Sequence, residues 1–125
     1  MENPVSDKKY DLFDRTLKFA QLVRSFTRSI AITPHNIDDI KQLIRSSGSI
    51  GANYIEAEEA LSTKDFLHRI KISRKEAKET VYWLKILTID DISLTKTKDS
   101  LLDEASQLMR IFGKIVSDKE KTHKL

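Results

Sequence analysis

The chain has 125 residues, 33% charged and 39% hydrophobic, with a formal charge of +3, three glycines, two prolines and no cysteine. That length buries one modest core and is too short for two domains, and so few helix breakers fit a helical bundle better than a sheet protein. Without cysteine there is no disulfide framework, thiolate metal site or cysteine nucleophile; no stretch approaches the roughly 20 apolar residues of a membrane span, and residues 1–11 lack the apolar run of a secretory leader, so a cytoplasmic location is expected.

The first predicted helix covers residues 11–30, where Leu12, Phe13, Leu17, Ala20, Val23, Phe26 and Ile30 recur at three- and four-residue steps and form one apolar stripe. Pro34 disfavours helix in the residue before it and ends this element. Asn36 then has the side chain of an N-cap, followed by Asp38 and Asp39 in the dipole-favoured first turn of a helix over 37–61. Its stripe runs through Ile40, Leu43, Ser47, Ile50, Gly51, Tyr54 and Ile55. Ser62 to Asp65 has the form of a capping box with Asp in place of Glu, opening a helix over 63–88 whose inner face carries Phe66, Ile70, Ser73, Ala77, Val81, Leu84 and Leu87. A fourth helix is predicted over 96–116, from Leu101, Leu102, Ala105, Leu108, Met109, Phe112, Ile115 and Val116, leaving 117–125 as a frayed, lysine-rich tail. Four helices with short connections define a single all-α domain over 1–125, an antiparallel up-down-up-down four-helix bundle.

The third helix has more apolar surface than one seam uses. Ile72, Trp83 and Ile86 lie roughly 100° from the Phe66/Ile70/Ala77/Leu84 line, on the side that also holds Glu76 and Glu79. This is either a self-association face or the edge of a wide core stripe. The small residues from Ser46 to Ala52, which include Gly48 and Gly51, allow close approach of another helix from the same chain or from a second copy. Asn53 and Glu56 would then need buried partners, for which Arg45, Arg69 and Arg74 are the candidate donors.

These residues carry a resemblance. Gln42, Leu43, Arg45, Ser49, Ile50, Asn53 and Glu56, then Phe66, Ser73, Arg74 and Glu79, follow the pattern of the four-helix bundle protein family, also called the ribosomal-RNA intervening-sequence protein family. Ala57 departs from the pattern where the family has glycine, and Tyr54-Ile55 shifts bulk by one position. The resemblance implies a homo-oligomer, typically a pentamer around a central channel, with no enzymatic activity established for the family at large. The accessory protein of diversity-generating retroelements is similar in architecture, which implies association with a reverse transcriptase and with nucleic acid. Ser49, Asn53, Glu56, Arg74, Glu79 and Trp83 are the expected residues of the self-assembly face and its polar pocket.

Lys64, His68, Lys71, Lys75, Lys78 and Lys85, with Tyr82, form a stripe about 30 Å long on the third helix. Repeated in an oligomer, the stripe would multiply a weak affinity for RNA or DNA phosphates, and Lys64, His68, Lys71, Lys75 and Lys78 are the expected contacts. The alternative is a solvated face on a protein-interaction adaptor. An enzyme is the weaker reading. Asp65 and His68 are spaced i, i+3 as in di-iron bundles, but no second copy of the motif exists. Arg28 and His35 have a spacing found in some helical RNA-cutting domains, yet Pro34 interrupts the backbone between them. Buried carboxylates at Glu56, Glu76 and Glu79 would have raised pKa values, as would any structural pair. No cofactor, metal or small-molecule substrate is expected.

Overall fold

A computed structural model describes residues 8–124, and residues 1–7 and Leu125, which hold most of the segment read for a leader and the last residue of the expected tail, lie outside that range. Four helices follow in order: α1 (Lys8–Arg28), α2 (Ile37–Glu58), α3 (Thr63–Ile86) and α4 (Ile92–Lys124). α1 packs on α2 and α4, and α3 packs on the same two, so among the described residues the diagonal pairs do not meet. This is the up-down-up-down bundle that the short connections predict. Among the described residues no helix is long and apolar enough to cross a membrane.

The core is the sum of the four stripes. Phe19, Val23 and Phe26 from α1 meet Leu43 and Ile50 from α2, Ile70, Ala77 and Leu84 from α3, and Leu108 and Phe112 from α4, all at most 2% exposed. Each large apolar side chain so buried contributes about 1.5–3 kcal/mol relative to leaving it in water. Tyr54 joins from α2, its ring 5.9 Å from that of Phe112.

Between α2 and α3 the core is polar. Ser46, Ser47, Ser73 and Thr80 are fully buried. Ser73 Oγ donates to the Ile50 carbonyl at 2.9 Å, and Thr80 Oγ1 stands 2.9 Å from Ser46 Oγ and 2.8 Å from the Glu76 carbonyl. Small side chains bring the two helices close, and their hydroxyls bond to each other or to backbone, so no desolvated donor is stranded.

Gly48 and Gly51 serve a different neighbour. A Cβ on Gly51 would stand 2.8 Å from Thr16 Oγ1, and one on Gly48 would stand 3.1 Å from an Arg24 nitrogen. Both glycines therefore admit α1 of their own chain, which settles the open question of what approaches this segment.

Three local expectations are corrected. Asn36 precedes α2, but its side chain does not cap that helix. Its Oδ1 accepts from the Thr33 amide at 2.8 Å and its Nδ2 donates to the Ala31 carbonyl at 3.0 Å, so it ties the 31–36 loop together. α4 starts at Ile92 rather than residue 96, because Asp91 caps it: Asp91 Oδ1 accepts from the Ser93 amide at 2.8 Å and the Ser93 hydroxyl at 2.7 Å. The tail is helical through Lys124. Lys119 lies over the Phe66 ring at 5.5 Å, and Glu120 pairs with Lys71 at 3.2 Å, so α3 holds it in place. Ser62 behaves as expected, accepting from the Asp65 amide at 3.0 Å.

Candidate assembly face on helices α2 and α3

Gln42, Arg45, Ser49, Asn53 and Glu56 recur at three- and four-residue steps along one side of α2, which the helical repeat turns toward the outer edge of α3. There Arg45 makes the principal connection. Its Nη1 reaches Glu76 at 3.2 Å and its Nη2 reaches Glu79 at 2.5 Å, while its Nε donates to Gln42 at 2.9 Å. Trp83 Nε1 donates to the same Glu79 oxygen at 3.2 Å. Further down the groove, Arg69 donates to Asn53 Oδ1 at 3.2 Å, and Asn53 Nδ2 donates to the Ser49 carbonyl at 2.9 Å.

The electrostatics follow from these bonds. Burial alone would push the Glu79 carboxyl up, but hydrogen bonds from the Trp83 indole and from Arg45, the Arg45 charge, and a hydrogen bond with Glu76 hold it below the usual range. Burial also opposes the Arg45 charge, and its bonds to Glu76 and Glu79 outweigh that and hold it above its ordinary value. The raised carboxyl pKa expected for Glu79 is therefore reversed.

Of the expected pocket residues, Ser49, Asn53, Glu79 and Trp83 do line one groove with Arg45, Arg69 and buried Glu76. Two do not join them. Glu56 is exposed, beside Glu59, Asp65, His68 and Arg69 around a hollow of about 270 Å³ at the α2–α3 turn. Arg74 is exposed on the opposite edge of α3, its Cδ facing Gly113 of α4. One helical step of 100° separates Arg74 from Ser73 and is enough to move it from the α2 side to the α4 side. Trp83 is half-buried against the core, as the edge of a wide core stripe would be, and it stands next to Tyr82 and one helical turn from Ile86, which are 57% and 39% exposed. The Tyr82 and Trp83 rings meet edge to face with centroids 5.1 Å apart.

Lys64, Lys71, Lys75 and Lys78 are exposed on α3; by the helical repeat Lys71 and Lys78 turn toward α4, and Lys64 and Lys75 point away from the bundle. Lys71 is neutralised by Glu120. His68 is exposed and lines the acidic hollow with Asp65, while staying at helical spacing from Lys64, Lys71 and Lys75. Among the described residues no group of three or more His, Cys, Asp or Glu side chains is placed to hold a metal ion. Arg28 and His35 are both exposed, and the His35 amide is tied to Thr33 Oγ1 at 3.2 Å.

One feature escaped sequence reasoning. A hollow of about 930 Å³ opens at the α2–α3 turn end of the bundle, lined by Leu12, Tyr54, Phe66, Ile111 and Ile115, with Arg15 and Lys119 at its edges. The helical continuation of α4 supplies Lys119, so expecting a frayed tail concealed part of this wall. Tyr54 and Glu58 share it, with Tyr54 Oη donating to Glu58 at 3.4 Å. Burial, then the Glu58 charge and that hydrogen bond, push the phenol up to about 12.

The fold and this α2–α3 groove define a four-helix bundle with a polar signature on one face. The model of the 23S rRNA-intervening sequence protein family matches residues 8–114, and the chain belongs to that family. A crystal structure of a protein of unknown function from the S23 ribosomal protein family, from Bacteroides thetaiotaomicron VPI-5482, is similar to it. The two are 30% identical, the match covers 84% of this chain and 97% of that one, and the TM-score is 0.67. No curated protein matches the chain.

Proposed function

We propose that this protein is a non-enzymatic scaffold that assembles with copies of itself, in rings of five as its resemblance implies, and presents a repeated basic surface to RNA, DNA or a nucleic-acid-processing partner in the cytoplasm. The observation that carries the reading is the face around Trp83. An aromatic side chain is fixed by Glu79 and Arg45 and is bordered by exposed Ile86 and Tyr82. A rigid aromatic anchor beside apolar surface is the usual composition of an interface centre. The lysines on the other side of α3 would then recur around the assembly, where many weak phosphate contacts add.

The test is light-scattering mass with a short structured RNA at two salt concentrations. The reading expects an oligomer that gains RNA at low salt and releases it steeply as salt rises. Salt-insensitive capture of one protein would favour the second reading, an adaptor with a solvated basic stripe. That reading draws on the Lys71–Glu120 pair, which already neutralises the centre of the stripe.

A further inference from the structure

Helices α1 and α2 leave a second apolar strip uncovered. Phe13 and Leu17 of α1 are 41% and 49% exposed, and Ile55 of α2 is 45% exposed. Phe13, Leu17, Arg24 and Arg28 lie within about 60° of one another on α1 by the helical repeat. This is the edge of α1 turned toward α2, since Arg24 lies over Gly48. On α2, Gly48, Gly51 and Ile55 follow at three- and four-residue steps along the facing edge. The result is a shallow groove with apolar shoulders at one end. At the other end it is basic, with Arg24, Arg28 and exposed Lys41.

The α3 face around Trp83 matches this strip at two heights, one apolar and one charged. Thr16 faces Gly51 and Ser73 bonds to Ile50, so Thr16 and Ser73 stand at one level on helices that run parallel. Leu17 is one residue above that level, and Ile72 is one below it. Arg24 is eight residues above it, between Glu79 at six and Trp83 at ten. Two carboxylates, Glu76 at three and Glu79 at six, share the single guanidinium of Arg45, so the cluster keeps one negative charge close to the level of Arg24.

We infer that the partner of the α3 face is the α1/α2 strip of a second copy, with Leu17 seated at the level of Ile72 and Arg24 at the level of Glu79 and Trp83. The inference rests on the self-association reading and specifies its geometry. The two surfaces differ, so the contact is head-to-tail and each copy keeps one free face until a ring closes. A face-to-same-face dimer is a different outcome.

Two variants separate these cases. Leu17→Glu blocks the α1/α2 strip, and Ile86→Arg, which sets a cation at the level of Arg28, blocks the α3 face; both positions are exposed, and far-UV helicity checks each fold. Phe13→Glu and Trp83→Ala replace either one that loses helicity. Each variant alone is expected at the mass of one chain, 14.4 kDa. Mixed, they are expected at the mass of two chains, because one intact junction forms and cannot propagate. Leu17→Glu assembling like the wild type, or a mixture that stays at one-chain mass, overturns the pairing while leaving self-association standing. A wild-type protein that is itself a single chain overturns both.

Discussion

One oxygen of Glu79 accepts from both Arg45, at 2.5 Å, and the Trp83 indole, at 3.2 Å. A single carboxylate thus orients the aromatic anchor of α3 and ties it to α2. Because those bonds hold Glu79 below its ordinary pKa, its ionised form is favoured in the fold. The associated stability is present above the unfolded-state value of about 4.3 and is lost as pH falls through the lower folded-state value. Chemical denaturation midpoints are expected to be flat near neutrality and to fall at acidic pH. Glu79→Gln should be less stable at neutral pH and show a smaller acid decline. An equal decline in both proteins would count against this role for the carboxylate.

The two glycines of α2 should respond oppositely to alanine. At Gly51 the new methyl would meet Thr16 Oγ1 at 2.8 Å and Thr16 Cβ at 3.0 Å, and Thr16 is held by its 2.8 Å bond to the Leu12 carbonyl. Overpacking of this kind costs about 1–3 kcal/mol, more than the ~1 kcal/mol gained in helix propensity. At Gly48 the obstacle is the end of the Arg24 side chain at 3.1 Å, which can swing aside. Thermal melts should show Gly51→Ala destabilised and Gly48→Ala neutral or stabilised. The reverse order would refute the close approach of α1.

Thr80→Val keeps the shape and removes the hydroxyl that joins Ser46 to α3. Ser46 is then left with only its long 3.4 Å bond to the Leu43 carbonyl in a fully buried site. The expected loss is about 1–3 kcal/mol of unfolding free energy, read by urea titration. A double change with Ser46→Ala should cost less than the two single changes summed, because the two hydroxyls are in contact.

Tyr54 makes an alkaline prediction. The fold favours its neutral phenol, whose pKa rises to about 12 from 10.0. Its contribution is therefore complete below the unfolded value and is lost as pH climbs from about 10 through 12. Absorbance titration of tyrosinate should show a late-ionising tyrosine, and Tyr54→Phe should remove that phase. Retention of the phase in Tyr54→Phe would assign it elsewhere.

The fold was legible because four separate apolar stripes at helical spacing have only one short-loop arrangement. The polar seam was legible in kind: Ser46, Ser47 and Ser73 stand where a plain helix would have aliphatics. Side-chain direction within a turn was not. Arg74 lies one 100° step from Ser73 yet faces Gly113, and sequence spacing alone cannot choose between two helices flanking α3. Asn36 has the composition of a cap, but the loop behind it offers the Thr33 amide and the Ala31 carbonyl, and these took its side chain. The extension of α4 had a signal that polarity masked. No glycine or proline follows Gly113, and Lys114 and Asp118 pair at 3.2 Å across one turn.

Self-assembly through the α3 face is the central claim, and solution mass by light scattering tests it most directly. The account predicts a wild-type mass several times 14.4 kDa, about fivefold if the ring matches the family resemblance, and a shift toward smaller species in Trp83→Ala with helicity retained. A wild-type mass of one chain, or an unchanged mass in the variant, would contradict it.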